Sequence, residues 1–351
     1  MSIFSFFSKN YLIYAFVFLS LSSCKKDDEQ KSQDLKGTFV VSQGQFPAGA
    51  SSVTFIPKEA GISEVRDLFS SVNGTPLGSV AQDLLFDGNT AYISVANFRE
   101  IVRLNSTDFK VERRFQEVQQ PRYFTKTSDG RILVSAWGED GFSGGIFLLN
   151  PNSVTTLIQT GRAPEQMLVS GRTLYVTMSN GFARDSFLRA YDLENNQIIQ
   201  EWVVGIGPNS IRQTSDGSIW VLCGGAYDFT TQSFLNGSLW HVKNNVIVDR
   251  RDLGPNPSNL EISADERFLY FLGNSGVSRL DISQKTIGAI QDPYISGSFY
   301  GLGIHPVSGD IWVTDPKDFA SQGEVLRYSA SGTFIAKHST GNVPARIVFR
   351  D

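Results

Sequence analysis

Aromatic rings set beside amides, carboxylates and guanidinium groups recur in the loops of this chain. They are Phe46 in Gln43-Gly44-Gln45-Phe46, Phe98 in Asn97-Phe98-Arg99, and Trp137 and Phe142 in Trp137-Gly138-Glu139-Asp140-Gly141-Phe142. Phe182 in residues 180–185, Tyr227, Phe229 and Phe234 in residues 225–234, and Phe319 in residues 315–319 continue the series. Such a mixture suits recognition: each ring buries about 150–250 Å² against a partner, and its polar neighbours fix orientation. Turnover has less to draw on. Of the three histidines, His241 and His338 fall in strand patterns and His305 in a turn, so no imidazole base or His-rich metal site is expected among these loops. The loop acids Glu139, Asp140, Asp185, Asp228, Asp315 and Asp318 have the oxygen chemistry that Ca²⁺ takes, though loop carboxylates usually just face water. No glycine-rich phosphate loop follows a strand and opens a helix, and no Ser/His/Asp set can be argued. The expectation is binding without catalytic residues, cofactor or resident metal.

A repeat spaces these loops. Each unit runs strand, Asp-Gly-type turn, strand ending in an aromatic or its equivalent, loop, strand. The equivalent positions Tyr92, Leu133, Tyr175, Trp220, Tyr270 and Trp312 differ by 41, 42, 45, 50 and 42 residues. Four short strands fill such a step, and repeats of that length made of strands mean a β-propeller. The six units span about residues 76–341; residues 37–72 add strands but lack an innermost one, which Pro344-Ala345-Arg346-Ile347-Val348-Phe349 supplies. The expected fold is therefore all-β, a seven-bladed propeller whose first blade is closed by the C-terminal strand, leaving no open sheet edge.

In that fold the loops between second and third strands share one rim with the inter-blade corners. Six of the seven second-to-third loops carry an aromatic, whereas opposite-rim turns such as Asp129-Gly130 and Asp216-Gly217 carry none. The corners include Gln120-Pro121-Arg122, Ala163-Pro164-Glu165, Gly207-Pro208-Asn209, Asn256-Pro257-Ser258 and Val343-Pro344-Ala345. Proline lacks a ladder donor and suits the crossover between blades; the residue after it is expected to face the central channel mouth.

Composition sets the class. With 41% hydrophobic and 19% charged residues and a net charge of −4, the 351-residue chain is globular and has no basic block for nucleic acid. Residues 1–23 read as a secretory signal: Lys9 precedes an apolar run too short to span a bilayer, and Leu21-Ser22-Ser23-Cys24 has the form of a lipobox. Cys24 is the expected lipidation site, holding the protein to the outer membrane, with several acyl chains giving a durable anchor. Residues 24–36 read as a flexible tether and residues 37–351 as a single propeller domain. The second cysteine, Cys223, is expected to be a buried small hydrophobe.

The segments Thr38-Phe39-Val40-Val41-Ser42-Gln43-Gly44, Pro76-Leu77-Gly78-Ser79-Val80-Ala81-Gln82, Gln120-Pro121-Arg122-Tyr123 and Leu133-Val134-Ser135-Ala136-Trp137-Gly138 resemble the YncE-like (YVTN) propeller family. The resemblance is closer still to a Bacteroidetes lipoprotein branch, the DUF5074-type surface proteins, and covers essentially the whole mature domain. In that branch the first motif usually carries Asn-Glu-Gly; here Ser42-Gln43-Gly44 lacks the carboxylate. Lys25-Lys26-Asp27-Asp28-Glu29 is similar to the export tag of cell-surface lipoproteins. The branch includes a surface propeller that binds cobalamin and passes it to a TonB-dependent transporter. The resemblance thus implies a capture module for a bulky planar ligand such as a corrinoid, a haem or a siderophore. Its grip would come from Gln43, Phe46, Gln82, Phe98, Arg122, Trp137, Phe182, Tyr227, Phe229 and Tyr300. The alternatives are a structural or partner-binding propeller without small ligand, and a metal-dependent lyase or lactonase.

Overall fold

A computed structural model describes residues 35–351 except 48, 60, 98, 180, 182–184 and 284–288. Cys24, the expected signal segment of residues 1–23, Phe98 and Phe182 lie outside the described residues. Seven antiparallel sheets form the blades. Blade 2, for example, runs outward from Ala81–Asp87 through Thr90–Val95 and Glu100–Asn105 to Val111–Phe115. The innermost strands of blades 2 to 7 are Ala81–Asp87, Pro121–Lys126, Pro164–Ser170, Pro208–Gln213, Ser258–Ile262 and Gly301–Ile304. That of blade 1 is Pro344–Arg350, which pairs with Gly37–Ser42 as expected, and each innermost strand touches the next around a closed ring.

The reason for closure lies in the second strands. Successive side chains of a strand point to opposite faces, and here both faces are buried between blades. Ile93 packs against Phe39 and Phe55 of blade 1, while its neighbour Tyr92 packs against Phe124 and Val134 of blade 3. Trp220 faces Leu269 of blade 6, and Val221 faces Leu188 and Trp202 of blade 4. The last interface sets Trp312 and Val325 against Val40, Ile56 and Ile347, sealing blade 7 to blade 1. No repeat has a core of its own; each is half of two cores. Cys223 is buried in one of them, as expected.

Blade 1 departs from the four-strand expectation. It has three strands, and a short helix, Leu68–Asn73, lies beyond Ser52–Pro57. Asp67 caps the helix by accepting from Ser70 N at 3.2 Å, and Gly74, at φ 66°, ends it in the left-handed region. Leu68, Phe69 and Val72 cover the Phe39–Phe55 cluster, which a fourth strand would otherwise have covered. Blade 5 carries an insertion on the second-to-third loop: Tyr227–Asp228 pairs with Ser233–Phe234 as a small hairpin.

Candidate functional site

The channel mouth is built by a device repeated around the ring. Six of the seven innermost strands slip register by one residue where they begin: at Ala81/Asp83, Pro121/Phe124, Pro164/Met167, Pro208/Ser210, Ser258/Glu261 and, in the closing strand, opposite Val41/Ser42. An extra residue in a strand re-aims side chains. Both residues after a proline, not only the first, thus reach the mouth: Arg122 with Tyr123, Ser258 with Asn259, and Ala345 with Arg346.

Buried hydroxyls from the second strands satisfy the backbone that the bulges expose. Ser94 accepts from Asp83 N at 3.1 Å and donates to Arg122 O at 2.6 Å in the next blade. Ser135 accepts from Tyr123 N at 3.2 Å and donates to Glu165 O at 2.7 Å. Thr314 accepts from Gly301 N at 2.7 Å and donates to Pro344 O at 2.6 Å, while Thr177 accepts from Gln166 N at 2.9 Å. A hydroxyl is needed because one atom must both accept and donate.

These strands enclose a cup of about 530 Å³ lined by Gln43, Gln82, Arg122, Tyr123, Gln166, Asn256, Asn259, Asn274, Phe299, Tyr300 and Arg346, among others. Arg122 gives one nitrogen to Gln82 Oε1 at 2.8 Å and another to Glu165 Oε1 at 2.6 Å, and stands 4.0 Å from the ring centre of Trp137. Trp137 Nε1 donates to the other oxygen of Glu165 at 2.8 Å. Deeper, Arg346 Nε donates to Asp83 at 2.9 Å, and Arg212 holds both oxygens of Glu261 at 2.6 and 3.0 Å. Burial pulls the pKa values of Arg122 and Arg346 down, but Glu165 facing the one, and Asp83 and Glu261 facing the other, more than reverse this. Three arginines and three carboxylates therefore cross-link blades 1 to 6 in a neutral belt. Burial, reinforced by the Glu165 charge, pushes the Tyr123 phenol up to about 12, so it stays protonated.

Four of the sequence-predicted residues, Gln43, Gln82, Arg122 and Tyr300, line this one cup. Tyr300 donates to Gln43 Oε1 at 3.2 Å and meets exposed Phe319 edge-on, with ring centres 5.4 Å apart. Trp137 joins the site through Arg122 and Glu165. Phe46, 75% exposed, and Phe229, 81% exposed, sit on rim loops outside the cup lining, as does Tyr227, which clusters with Phe229 and Phe234 at 5.1 and 5.0 Å. Sequence reasoning missed Tyr123, Gln166, Asn259 and Arg346. The post-proline rule pointed one residue short of each, because a bulge leaves no mark in residue types.

The rim acids are occupied by their own or neighbouring loops. Asp140 accepts from Phe142 N at 2.8 Å and Ser143 N at 2.7 Å, and Asp318 from Ala320 N at 3.0 Å and Ser321 N at 2.6 Å. These backbone donors hold both carboxyls below the usual range. Asp185 pairs with Arg162 at 2.5 Å, Asp315 with Lys317 at 2.7 Å, and Glu139 with Arg99 at 3.4 Å; Asp228 accepts from Thr230 N at 2.9 Å. Among the described residues, no three His, Cys, Asp or Glu side chains gather as a metal site.

Solved structures share this architecture at low identity. A quinonprotein alcohol dehydrogenase-like protein from Bacteroides thetaiotaomicron is 15% identical with a TM-score of 0.64, covering 90% of this chain and 79% of that one. A functionally unknown protein from Desulfotomaculum acetoxidans is 11% identical at a TM-score of 0.64 (89% and 98% covered). A putative 6-phosphogluconolactonase from Bacteroides fragilis is 12% identical at a TM-score of 0.58 (91% and 99% covered). At these identities the likeness shows the fold alone. No curated protein matches the chain. The sequence profile of a family described as "Domain of unknown function (DUF5074)" matches residues 36–350, the whole propeller, and the chain belongs to that family.

Proposed function

We propose that this propeller is a capture module: a lipoprotein anchored through Cys24 on the outer-membrane surface, which grips a bulky nutrient over its channel mouth and yields it to a TonB-dependent transporter. The observation that carries the reading is the cup itself. It is a preformed, hydrogen-bonding hollow of about 530 Å³, a size in the range of small-molecule sites, with exposed rings standing on the rim above it. A corrinoid such as cobalamin is too large to enter whole. The macrocycle of a corrinoid or a haem would lie across the mouth against Phe46, Tyr227 and Phe229, while one peripheral group, a haem propionate or the phosphate-bearing arm of a corrinoid, descends into the cup.

Titration of the purified protein with cobalamin and with haem, followed by absorbance, tests this. Saturable binding of either one, weakened by Trp137→Ala with Tyr227→Ala, supports capture; no spectral change up to millimolar ligand sinks it. A second reading rests on the Tyr227–Phe229–Phe234 cluster, whose exposure suits docking of a partner protein without small ligand. The lactonase named among the fold relatives suggests an enzyme. Against that, His241 and His338 are tied into blade strands and the rim carboxylates are engaged by their own or neighbouring loops.

A further inference from the structure

The hydrogen bonds of the cup fix which atoms remain to meet a ligand. Arginine carries five donors and no acceptor. Gln82 must therefore turn Oε1 toward Arg122, at 2.8 Å, and Gln166 must turn Oε1 toward Arg212, at 3.0 Å. Both amide NH₂ groups are thereby committed as donors. Gln82 spends one N–H on the Tyr123 oxygen at 2.8 Å, which leaves the phenolic O–H of Tyr123 to donate elsewhere. Arg346 uses Nε on Asp83; its nearest other carboxylate oxygen, on Glu261, is 3.9 Å from one terminal nitrogen, beyond a hydrogen bond.

The carboxylates, meanwhile, are taken. Asp83 receives Arg346 and the Phe124 N–H (3.0 Å), Glu165 receives Arg122 and Trp137, and Glu261 receives Arg212 on both oxygens. The half of the cup built by blades 1 to 4 thus presents donors: the Tyr123 hydroxyl, the Gln82 and Gln166 amide groups and the Arg346 guanidinium. Acceptors such as Asn259 Oδ1, freed because Asn259 Nδ2 donates to Tyr300 O at 3.0 Å, lie on the blade 6 side. Two relays of forced orientations, Glu165 to Arg122 to Gln82 to Tyr123 and Glu261 to Arg212 to Gln166, together with Asp83 holding Arg346, produce this asymmetry.

We infer that the donor half of the cup receives an oxyanion, a carboxylate or phosphate, on the arm of the ligand that enters it; the inference rests on the capture reading above. Such a group brings only acceptors and can take several donors at once. A carboxamide arm would bring two N–H groups against a wall whose carboxylates are already taken and whose amide and hydroxyl oxygens each already accept one bond, so it is matched less well than an arm that brings acceptors alone.

Calorimetric titration with benzoate, phenyl phosphate and benzamide as probes tests the inference. Benzoate or phenyl phosphate should bind about tenfold tighter than benzamide, the stronger of the two naming the oxyanion, and Tyr123→Phe should cost about tenfold. Arg346→Gln should cost at least as much, with Tyr123→Phe as the safer variant because it leaves no buried charge unpaired. Equal binding of benzamide, undiminished binding by folded Tyr123→Phe, or no binding of either oxyanion overturns the inference. The cobalamin and haem titrations stand apart: binding there without oxyanion preference sinks this inference and leaves capture standing, and the reverse result sinks capture alone.

Discussion

The guanidinium of Arg122 lies 4.0 Å from the ring centre of Trp137, and the two side chains share one carboxylate: Glu165 accepts from Arg122 at 2.6 Å and from Trp137 Nε1 at 2.8 Å. The stack and the shared acceptor together hold Arg122 in the orientation that turns Gln82 and then Tyr123 toward the cup. Trp137→Ala removes the stack and the indole hydrogen bond that steadies Glu165, leaving Arg122 its bond to Glu165 alone on that side. A desolvated cation–π contact of about 1–2 kcal/mol predicts a loss of roughly tenfold in affinity for whichever of cobalamin or haem titrates. Trp137→Phe keeps a ring beneath Arg122 and should lose less. Equal losses in the two variants, read by the same absorbance titration, would show that the stack does not orient the site.

Ser135 is fully buried and closes two gaps at once, accepting from Tyr123 N and donating to Glu165 O across the blade boundary. Ser135→Ala leaves a donor and an acceptor without their partner. The expected loss of stability in urea is about 2 kcal/mol, since each buried unsatisfied group costs about 1–3 kcal/mol. A loss below 0.5 kcal/mol, on the order of a surface substitution, would mean that the blades do not depend on this bridge.

The sequence carried the ring and one half of the cup. Strands buried on both faces print an apolar alternation at every step, and a repeat of Asp-Gly turns and proline corners can be counted, so seven blades and the closing strand were legible. Gln43 and Arg122 were legible at rim positions of the repeat, in a second-to-third loop and at a proline corner, and Gln82 and Tyr300 through the family resemblance. Tyr123, Gln166, Asn259 and Arg346 were not, because register decides which face a residue takes and a one-residue slip reverses it. The helix Leu68–Asn73 escaped for another reason. At six residues it is too short to show a 3.6-residue period, and packing on Phe39 and Phe55 stabilises it more than propensity does.

His241 stacks on Trp220 with ring centres 4.0 Å apart and planes at 10°. Burial first, and Lys243 second, lower its pKa below the ordinary 6.5, against the opposing pull of Asp216 and Asp249. The folded state thus favours the neutral ring more than the unfolded chain does. Its contribution to stability is complete above pH 6.5 and falls as the pH drops through the lowered folded value. His241→Phe, which keeps a ring on Trp220 without a titrating group, should flatten this part of the acid limb in urea melts at pH 7, 6 and 5. An unchanged slope would remove His241 as its source.

Gln43 is held in the cup by two strained valines. Its N–H donates to Val343 O at 2.9 Å, and its carbonyl accepts from Val80 N at 2.8 Å. Val80 and Val343 sit at φ 62° and 56°, a region that β-branched residues avoid at a cost of roughly 1–3 kcal/mol. Asparagine tolerates that backbone, so Asn at either position should relieve strain, and burial decides the net sign. Val343 is 6% exposed, and the loss of an apolar side chain worth about 1.5–3 kcal/mol when fully buried should outweigh the relief. Val80 is half-buried at the cup wall, so there the relief should prevail. Val80→Asn is expected to stabilise by about 0.5–1 kcal/mol and Val343→Asn to destabilise by about 1 kcal/mol. The Val80 N–H that braces Gln43 is a backbone donor and survives the substitution, so the stabilised variant should keep its affinity for ligand. Denaturant melts with the absorbance titration read both quantities. The same sign of stability change at both positions, or an affinity altered in Val80→Asn, would refute this account of the two valines.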